Sequence, residues 1–370
     1  MMRFDPLDEL PIHQVALPMT YPATSDRHFY DRCIYQAVDH RGEIELITGL
    51  GVYPNLGVID AYATVRVGDR QWAVRTSGAR PEDRTAQEVG PYRIEVVEPF
   101  RELRLVCDTP EHGVAFDLHY RSEFGAIPEP RHTRRQGDRI LLDASRFAGV
   151  GTWEGTIEAG GETVTVTSDR FTATRDRSWG IRPVGEAEPP GREVDFTGMW
   201  WFWVPLRFDD FAIHVILEED RDGLRNTNYA VRVWPEESGR APEQLGWPLP
   251  EVTYRPGTRL PLRASIPLTD RDGLTEILEI EPLIGIPLNV GCGYGGDPDW
   301  THGIWRGENW VEGAVYDHED PAVQGRAAFS LWDHGARATL AGRTGYGIFE
   351  HGVIGPHGPS GFTDYFDGAP

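Results

Sequence analysis

The chain has 370 residues, more than one hydrophobic core usually supports, so two domains are expected. Its formal charge of −22 argues against nucleic acid and anionic membrane surfaces as partners, because both would repel it at long range. The three cysteines lie far apart, which argues against a disulfide framework and favours reduced thiols in the cytoplasm. No apolar run approaches the about 18 residues of a membrane span, so stable membrane insertion is not expected.

Strand signals dominate the first half of the chain. No long amphipathic helix is predicted between residues 40 and 175. Strands are predicted within 61–78, turning at Gly68 and Asp69; 92–108, broken at Glu98 and Pro99; 114–124; and 151–167, turning at Gly160 and Gly161.

A segment rich in proline, glycine and charge, 182–193, is predicted to link two domains, 1–185 and 186–370. After it the strand pattern resumes, and segments at this spacing predict an all-β protein of two tandem antiparallel barrels or sandwiches. The predicted strands lie within 199–234, which turns at Asp209 and Asp210 and again at Asp222 and Gly223, and at 251–255, 261–266, 275–284, 309–317, 326–332, 336–341 and 346–353.

Three common kinds of site lack support in the sequence. "GCGYGG" (291–296) matches a dinucleotide-binding pattern, but no helical period follows it, so it is interpreted as turn material at a cavity mouth. The 12 histidines are scattered without metal-ligand spacing, and no G-x-S-x-G occurs. Neither a metal nor an organic cofactor is predicted.

The aromatic run "MWWFW" (199–203) places large rings on both faces of a strand, because alternate side chains point to opposite sides. Trp200 and Phe202 share one face, and Trp201 and Trp203 share the other. One face is expected to be core, while the other lines a pocket, contacts the first domain or covers an edge.

Two later segments, "HGIWRGENW" (302–310) and "LWDHGAR" (331–337), combine titratable groups with tryptophan. Desolvation beside indoles moves the pKa of a carboxyl towards neutrality, as acid-base catalysis requires. Solvated turn charges and rim aromatics are the alternative interpretation. Glu350 and His351 are adjacent on a predicted strand, so only one of them can point inward.

The segment "RDRSWGIRP" (175–183) ends the first strand-rich half. Asp176 could act as an acid or base or orient Arg177 or Arg182, and Trp179 could stack on a ligand. A tryptophan and glycine with an arginine over the indole could equally close the end of a β-barrel.

Three segments carry a resemblance to a known family: "RDRSWGIRP" (175–183), "WWFWVP" after the linker and "GRTGYGIFEHG" (342–352) near the end. With them the chain resembles the two-domain lipocalin-like superfamily of hydroxyneurosporene synthase (carotenoid 1,2-hydratase) and AttH proteins. Fungal decalin-forming Diels-Alderases are similar in architecture. The resemblance implies two tandem calycin-type β domains around a ligand cavity, and cofactor-free chemistry on terpenoid or polyketide substrates. It implies site roles for Asp176, Trp179 and Arg182, whereas Arg177 stands where many relatives carry histidine.

Three functions therefore stay open. The first is a cofactor-independent lyase, hydratase or isomerase of secondary metabolism, acting on a terpenoid, polyketide or aromatic molecule in a tryptophan-lined pocket; the second is a non-catalytic carrier of lipid or terpenoid; the third is a carbohydrate-binding protein with a shallow groove. A homodimer is among the open oligomeric states. The predicted catalytic residues are Asp176, Glu308, Glu350, Arg177, Arg306 and Tyr346. The predicted substrate-binding residues are Trp179, Arg182, Trp200, Trp201, Trp203, Tyr229, Tyr294, Trp305, Trp310, His334 and Arg337.

Overall fold

The computed structural model describes residues 3–189, 198–295, 297–298, 300–328 and 330–370. Within them the chain is almost entirely antiparallel β structure in two sheets, which confirms the predicted all-β class. One of the two sheets is a curled half-barrel, and the arrangement is consistent with tandem lipocalin-like domains. No helix in the described residues is long and apolar enough to cross a membrane.

The first half of the chain supplies thirteen described strands. They are β1 (Phe29–Asp39), β2 (Ile44–Tyr53), β3 (Val58–Val67), β4 (Arg70–Ala79), β5 (Glu88–Val89), β6 (Tyr92–Glu98), β7 (Glu102–Thr109), β8 (Val114–Arg121), β9 (Ile127–Pro128), β10 (His132–Gln136), β11 (Arg139–Ala159), β12 (Glu162–Val166) and β13 (Phe171–Ile181).

The second half supplies ten described strands and one short α-helix. They are β14 (Met199–Arg207), β15 (Ala212–Glu219), β16 (Arg225–Val233), β17 (Glu243–Gln244), β18 (Glu251–Tyr254), β19 (Pro261–Thr269), β20 (Thr275–Pro287), β21 (Trp310–Asp317), α1 (Pro321–Ala327), β22 (Trp332–Leu340) and β23 (Arg343–Ile354). Short 3-10 turns lie at Pro6–Glu9, Pro110–His112, Glu236–Ser238 and Gly358–Ser360.

The strand order is not simply sequential. Among the described strands the first sheet runs β21-β4-β3-β2-β1-β13-β11-β8-β7-β6-β5, with β9, β10 and β12 also paired to β11. The second sheet runs β17-β16-β15-β14-β23-β22-β20-β19-β18. Strand β21, from the second half of the chain, is thus an edge strand of the first sheet. The boundary at 185/186 stays a prediction, and residues 190–193 of the predicted linker lie outside the described residues.

Alternation along β1, β13 and β11 divides their side chains between two environments. Odd-numbered residues such as Tyr35 and Ala173 belong to the core inside the first sheet, while Val38 and Ala148 pack against the second sheet. The predicted alternation of "MWWFW" is confirmed. Trp200 and Phe202 enter the core of the second sheet, whereas Trp201 and Trp203 face the first sheet.

The strand predicted at 326–332 is wrong over most of its length. Residues 321–327 form α1, and β22 begins only at Trp332. The Asp320 carboxylate accepts a hydrogen bond from the Ala322 amide at 2.8 Å, and Pro321 occupies the first helical position. Both features favour the start of a helix. They outweigh the apolar residues within 326–332 that had predicted a strand.

Candidate active site

The two sheets enclose a cavity of about 280 Å³. Strands β1, β11 and β13 form one wall, and β14, β15 and β23 form the other. The lining residues are Ile34, His132, Arg134, Leu141, Leu142, Arg146, Asp176, Arg182, Pro183, Met199, Trp201, Trp203, Glu218, Leu288, Tyr294, Leu331 and Glu350. The cavity therefore combines aromatic and aliphatic walls with carboxyl and guanidinium groups.

Strand register places Asp176 between two arginines. Ser178 of β13 lies opposite Arg32 on β1 and opposite Arg146 on β11. Asp176 is on the same face, two residues along, so each arginine is its diagonal neighbour. Arg146 Nε lies 3.5 Å from a carboxylate oxygen of Asp176.

Burial raises the pKa of Asp176 from 3.8 to about 7, although Arg146 opposes that rise. The carboxylates of Glu129 and Glu350 add to the rise through charge repulsion. Near neutral pH the protonated and ionised forms of Asp176 are therefore both populated. A group in this condition can give or accept a proton at little cost.

A second carboxylate, Glu129, stays ionised and holds the site together. It accepts hydrogen bonds from Trp203 Nε1 at 2.8 Å and from His214 Nε2 at 2.9 Å, and it lies 3.3 Å from Arg146. Despite burial, Arg146 and the hydrogen bond from His214 lower the pKa of Glu129 to about 2. Glu129 therefore balances the charge of Arg146.

Opposite Asp176, Glu350 forms a buried pair with Asp333. The two residues lie side by side on β23 and β22, and Glu350 accepts a hydrogen bond from Trp201 Nε1. Gln36 donates a hydrogen bond to Asp333 at 3.0 Å. Burial and the neighbouring Glu350 carboxylate raise the pKa of Asp333 well above its usual range, so Asp333 holds a proton while Glu350 faces the cavity.

The far end of the cavity carries a third acid. Glu218 of β15 contacts the His132 ring directly, and Arg134 lies 3.5 Å from it. The His132 ring stacks on Trp201, with 5.8 Å between ring centroids. The hydrogen bond from His132 lowers the pKa of Glu218 against the effect of burial, so this carboxylate is ionised.

Six of the predicted site residues meet at this cavity. They are Asp176, Arg182, Trp201, Trp203, Tyr294 and Glu350. Tyr294 belongs to the glycine-rich segment 291–296, of which Gly296 lies outside the described residues. That segment forms no helix where it is described, in agreement with the prediction that it is turn material.

No residue of the segment 302–310 lines this cavity. Trp305, Arg306 and Glu308 are exposed, and the Arg306 guanidinium lies over the Trp310 ring at 5.3 Å. Trp310 belongs to β21, at the edge of the first sheet. Glu308 therefore lacks the desolvation that an acid-base role was expected to give it.

Other predicted residues take part in packing or in surface ion pairs. Arg177 and Trp179 point away from the cavity, Arg177 towards Asp31 at 2.9 Å, because they occupy odd positions of β13. Trp200 is core, and exposed Arg337 pairs with Glu281. The remaining three also lie outside the cavity lining: Tyr229 packs beside His214, His334 stacks on Trp332, and Tyr346 stacks on His40.

Sequence reasoning missed six polar residues of the site: Arg32, Glu129, His132, Arg134, Arg146 and Glu218. Asp333 lies in the segment 331–337 noted for its titratable groups, but it was not among the predicted site residues. The signal that could have found Arg32 and Arg146 is an isolated arginine among apolar residues on one face of a strand. Nothing local marks Glu129, whose partners lie on β11, β14 and β15. In the described residues no group of three histidine, cysteine, aspartate or glutamate side chains is placed to hold a metal ion.

Residues 4–363 match a family of unknown function, DUF8625. The chain belongs to this family. No curated protein is significantly similar to it in sequence.

Solved structures show where the fold recurs. A putative AttH from Nitrosomonas europaea superimposes with a TM-score of 0.55 at 14% identity, covering 93% of this chain and 98% of that one. Kievitone hydratase from Nectria haematococca superimposes with a TM-score of 0.51 at 13% identity, covering 95% of each chain. At these identities the likeness shows a shared fold, and it agrees with the resemblance to AttH-type proteins noted from the sequence.

Proposed function

We propose that this protein is a cofactor-independent enzyme, acting by acid-base chemistry as a hydratase, another lyase, a cyclase or an isomerase. The observation that carries the proposal is Asp176, a carboxyl that faces the cavity between the sheets and whose pKa is raised to about 7. A simple ligand carrier does not need such a group, because burying a carboxyl costs stability. A hydratase with the same fold supports the proposal.

The cavity favours a hydrophobic small molecule as the substrate. Trp201 and Trp203 supply aromatic surface, and Met199, Leu288 and Leu331 supply aliphatic surface. Apolar walls that carry polar groups at fixed positions are typical of sites that orient a largely apolar ligand. We therefore propose a terpenoid, polyketide or aromatic substrate.

The two walls offer a proton donor and a proton acceptor. In the dehydrating direction, protonated Asp176 donates to a substrate hydroxyl, so the C–O bond breaks and water leaves with its electron pair. Burial raises the pKa of Glu350, although the hydrogen bond from Asp333 opposes that rise. In its ionised form Glu350 accepts a proton from the adjacent carbon, and the C–H electron pair forms the double bond. Hydration is the reverse, and Arg182 stabilises negative charge that develops on oxygen.

The test is turnover of a panel of terpenoid, polyketide and aromatic alkenes and tertiary alcohols in ¹⁸O-labelled water, followed by mass spectrometry. Gain or loss of water, or ¹⁸O exchange, is expected with the wild type. Asp176→Asn and Glu350→Gln should each reduce the rate by roughly 10²- to 10⁴-fold. The matched control is Asp117→Asn, because Asp117 is a surface carboxylate paired with Arg104 at 2.7 Å.

Two results would contradict the proposal. If both cavity variants keep full turnover, the assigned proton transfers are wrong. If the wild type binds panel members and returns every one unchanged and without ¹⁸O, the carrier function is favoured instead.

A further inference from the structure

A small polar recess adjoins the main cavity. It measures about 20 Å³, which is room for about one water-sized group. Ile34, Asp176, Arg182 and Tyr294 line both spaces, so the recess opens beside the proposed acid. The polar side chains around it are Arg32, Tyr62, Asp176, Ser178, Arg182, Tyr294 and His302.

Three buried polar atoms at the recess have no hydrogen-bond partner among the described residues: the Tyr62 hydroxyl and both ring nitrogens of His302. Arg32 is 8% exposed, and its guanidinium donates to the Tyr294 hydroxyl at 3.3 Å. The Tyr62 side chain is 3% exposed, and its hydroxyl has no hydrogen-bond partner among the described residues. A buried donor without an acceptor destabilises the protein, so a ligand that accepts a hydrogen bond from such a donor would be favoured.

Two positive charges also lack a close counter-charge. The guanidinium groups of Arg32 and Arg182 lie over the same Tyr294 ring, at 5.1 and 5.4 Å from its centroid. No described carboxylate lies within ion-pair distance of either arginine, whereas Arg146 has Glu129 at 3.3 Å and Asp176 at 3.5 Å. Like charges held together in a desolvated place repel, and a bound anion relieves that repulsion.

We infer that this recess binds an anionic oxygen, a carboxylate or phenolate, at one end of a hydrophobic ligand whose apolar body occupies the main cavity. The inference rests on the ligand site of the proposed function and adds the substrate class, an acidic amphiphile. The anchored oxygen fixes the ligand against β1 and β13, with its neighbouring carbons beside Asp176. Arg32, which the sequence did not indicate, is then a substrate-binding residue.

The test compares two probes of nearly equal shape, 2-naphthoate and 2-naphthalenemethanol, by calorimetric titration of the full chain at pH 7.5. The wild type is expected to bind naphthoate at least tenfold more tightly than the alcohol. Arg32→Met and Arg182→Met should each remove most of that preference and change binding of the alcohol less than twofold. Arg337→Met is the control, because Arg337 is an exposed arginine paired with Glu281.

Further variants separate folding defects from lost recognition. Arg32→Lys keeps the charge and should retain part of the preference, and circular dichroism will show whether each variant is folded. Equal affinity for both probes, failure of the wild type to bind either, or a preference that survives in both methionine variants would overturn the inference.

The outcome is independent of turnover. Asp176→Asn, which removes a nearby negative charge, should bind naphthoate at least as tightly as the wild type while losing catalysis. A naphthoate preference without turnover would support anion binding at the recess and contradict the proposed enzymatic function. Turnover that depends on Asp176, without a naphthoate preference, would support the proposed enzymatic function and contradict anion binding at the recess.

Discussion

Replacing Asp176 with asparagine should stabilise the protein at alkaline pH, although it removes the proposed catalytic acid. The folded state holds this proton more tightly than the unfolded chain does, because the pKa rises from 3.8 to about 7 on folding. As the pH rises from about 4 to about 7, the unfolded chain ionises at this group while the folded state keeps its proton, so stability falls. Above about pH 7 both states are ionised, and the loss of stability stays constant.

The magnitude follows from that difference. At about 1.4 kcal/mol for each tenfold change in proton affinity, the full cost at pH 8 is about 4 kcal/mol. The Asp176 side chain is 17% exposed, and water in the cavity reduces the cost. We expect Asp176→Asn to raise the free energy of unfolding by about 1 to 3 kcal/mol at pH 8, and by less at pH 5.

Urea unfolding of wild type and variant at pH 5, 6.5 and 8 measures this directly. Asp117→Asn is again the control, because Arg104 lowers the pKa of Asp117 through a hydrogen bond. It should change the free energy of unfolding slightly and in the opposite direction. A variant Asp176→Asn that is no more stable than the wild type at pH 8, or whose gain does not grow with pH, would refute the reasoning.

Two further predictions concern the Asp333–Glu350 pair and the edge strand β21. Glu350→Gln and Asp333→Asn should each increase the free energy of unfolding at pH 8. In urea unfolding, the double variant should gain less than the sum of the two single gains, because either change already removes the repulsion between the two carboxylates. Additive gains would show that the pair is not coupled. One of the adjacent amides of Ala314 and Val315 must point towards β4. The more damaging of Ala314→Pro and Val315→Pro should therefore lower stability by about 1 to 3 kcal/mol, because it leaves an acceptor on β4 without its hydrogen bond. Two harmless prolines would show that β21 does not pair there.

Local sequence patterns were sufficient to predict the positions of two hairpin turns. The turn at Gly68 joins β3 to β4, and the turn at Asp222 and Gly223 joins β15 to β16, as predicted. Gly68 has a φ of 56° and Gly223 a φ of 81°, values that glycine adopts readily. Strand β2 was not predicted, because nearly all its residues are buried and it lacks the alternation of a half-exposed strand.

The site could be predicted only where one segment carried enough information by itself. The motif at 175–183 pointed to Asp176, which lines the cavity. Alternation separated Trp201 and Trp203 from Trp200 but did not indicate which face of the strand would line the cavity. Arg32 and Arg146 stand out in the sequence only as isolated arginines on apolar strand faces. Their meeting with Asp176 could not be predicted, because it depends on the pairing of β1, β13 and β11, which no local pattern specifies. Glu308 failed for the same reason: a tryptophan nearby in sequence does not establish that the carboxyl is desolvated.

The edge strand β21 is synthesised long after its partner β4, and this delay matters for folding during synthesis. β4 ends at residue 79 and its partner begins at residue 310, so more than half the chain is synthesised between them. During that interval the emerging first sheet has an open edge at β4, where another chain could pair. Biosynthesis therefore has a vulnerable period that ends only when the ribosome has released residue 317, and expression at low temperature or with chaperones should improve the yield of folded protein.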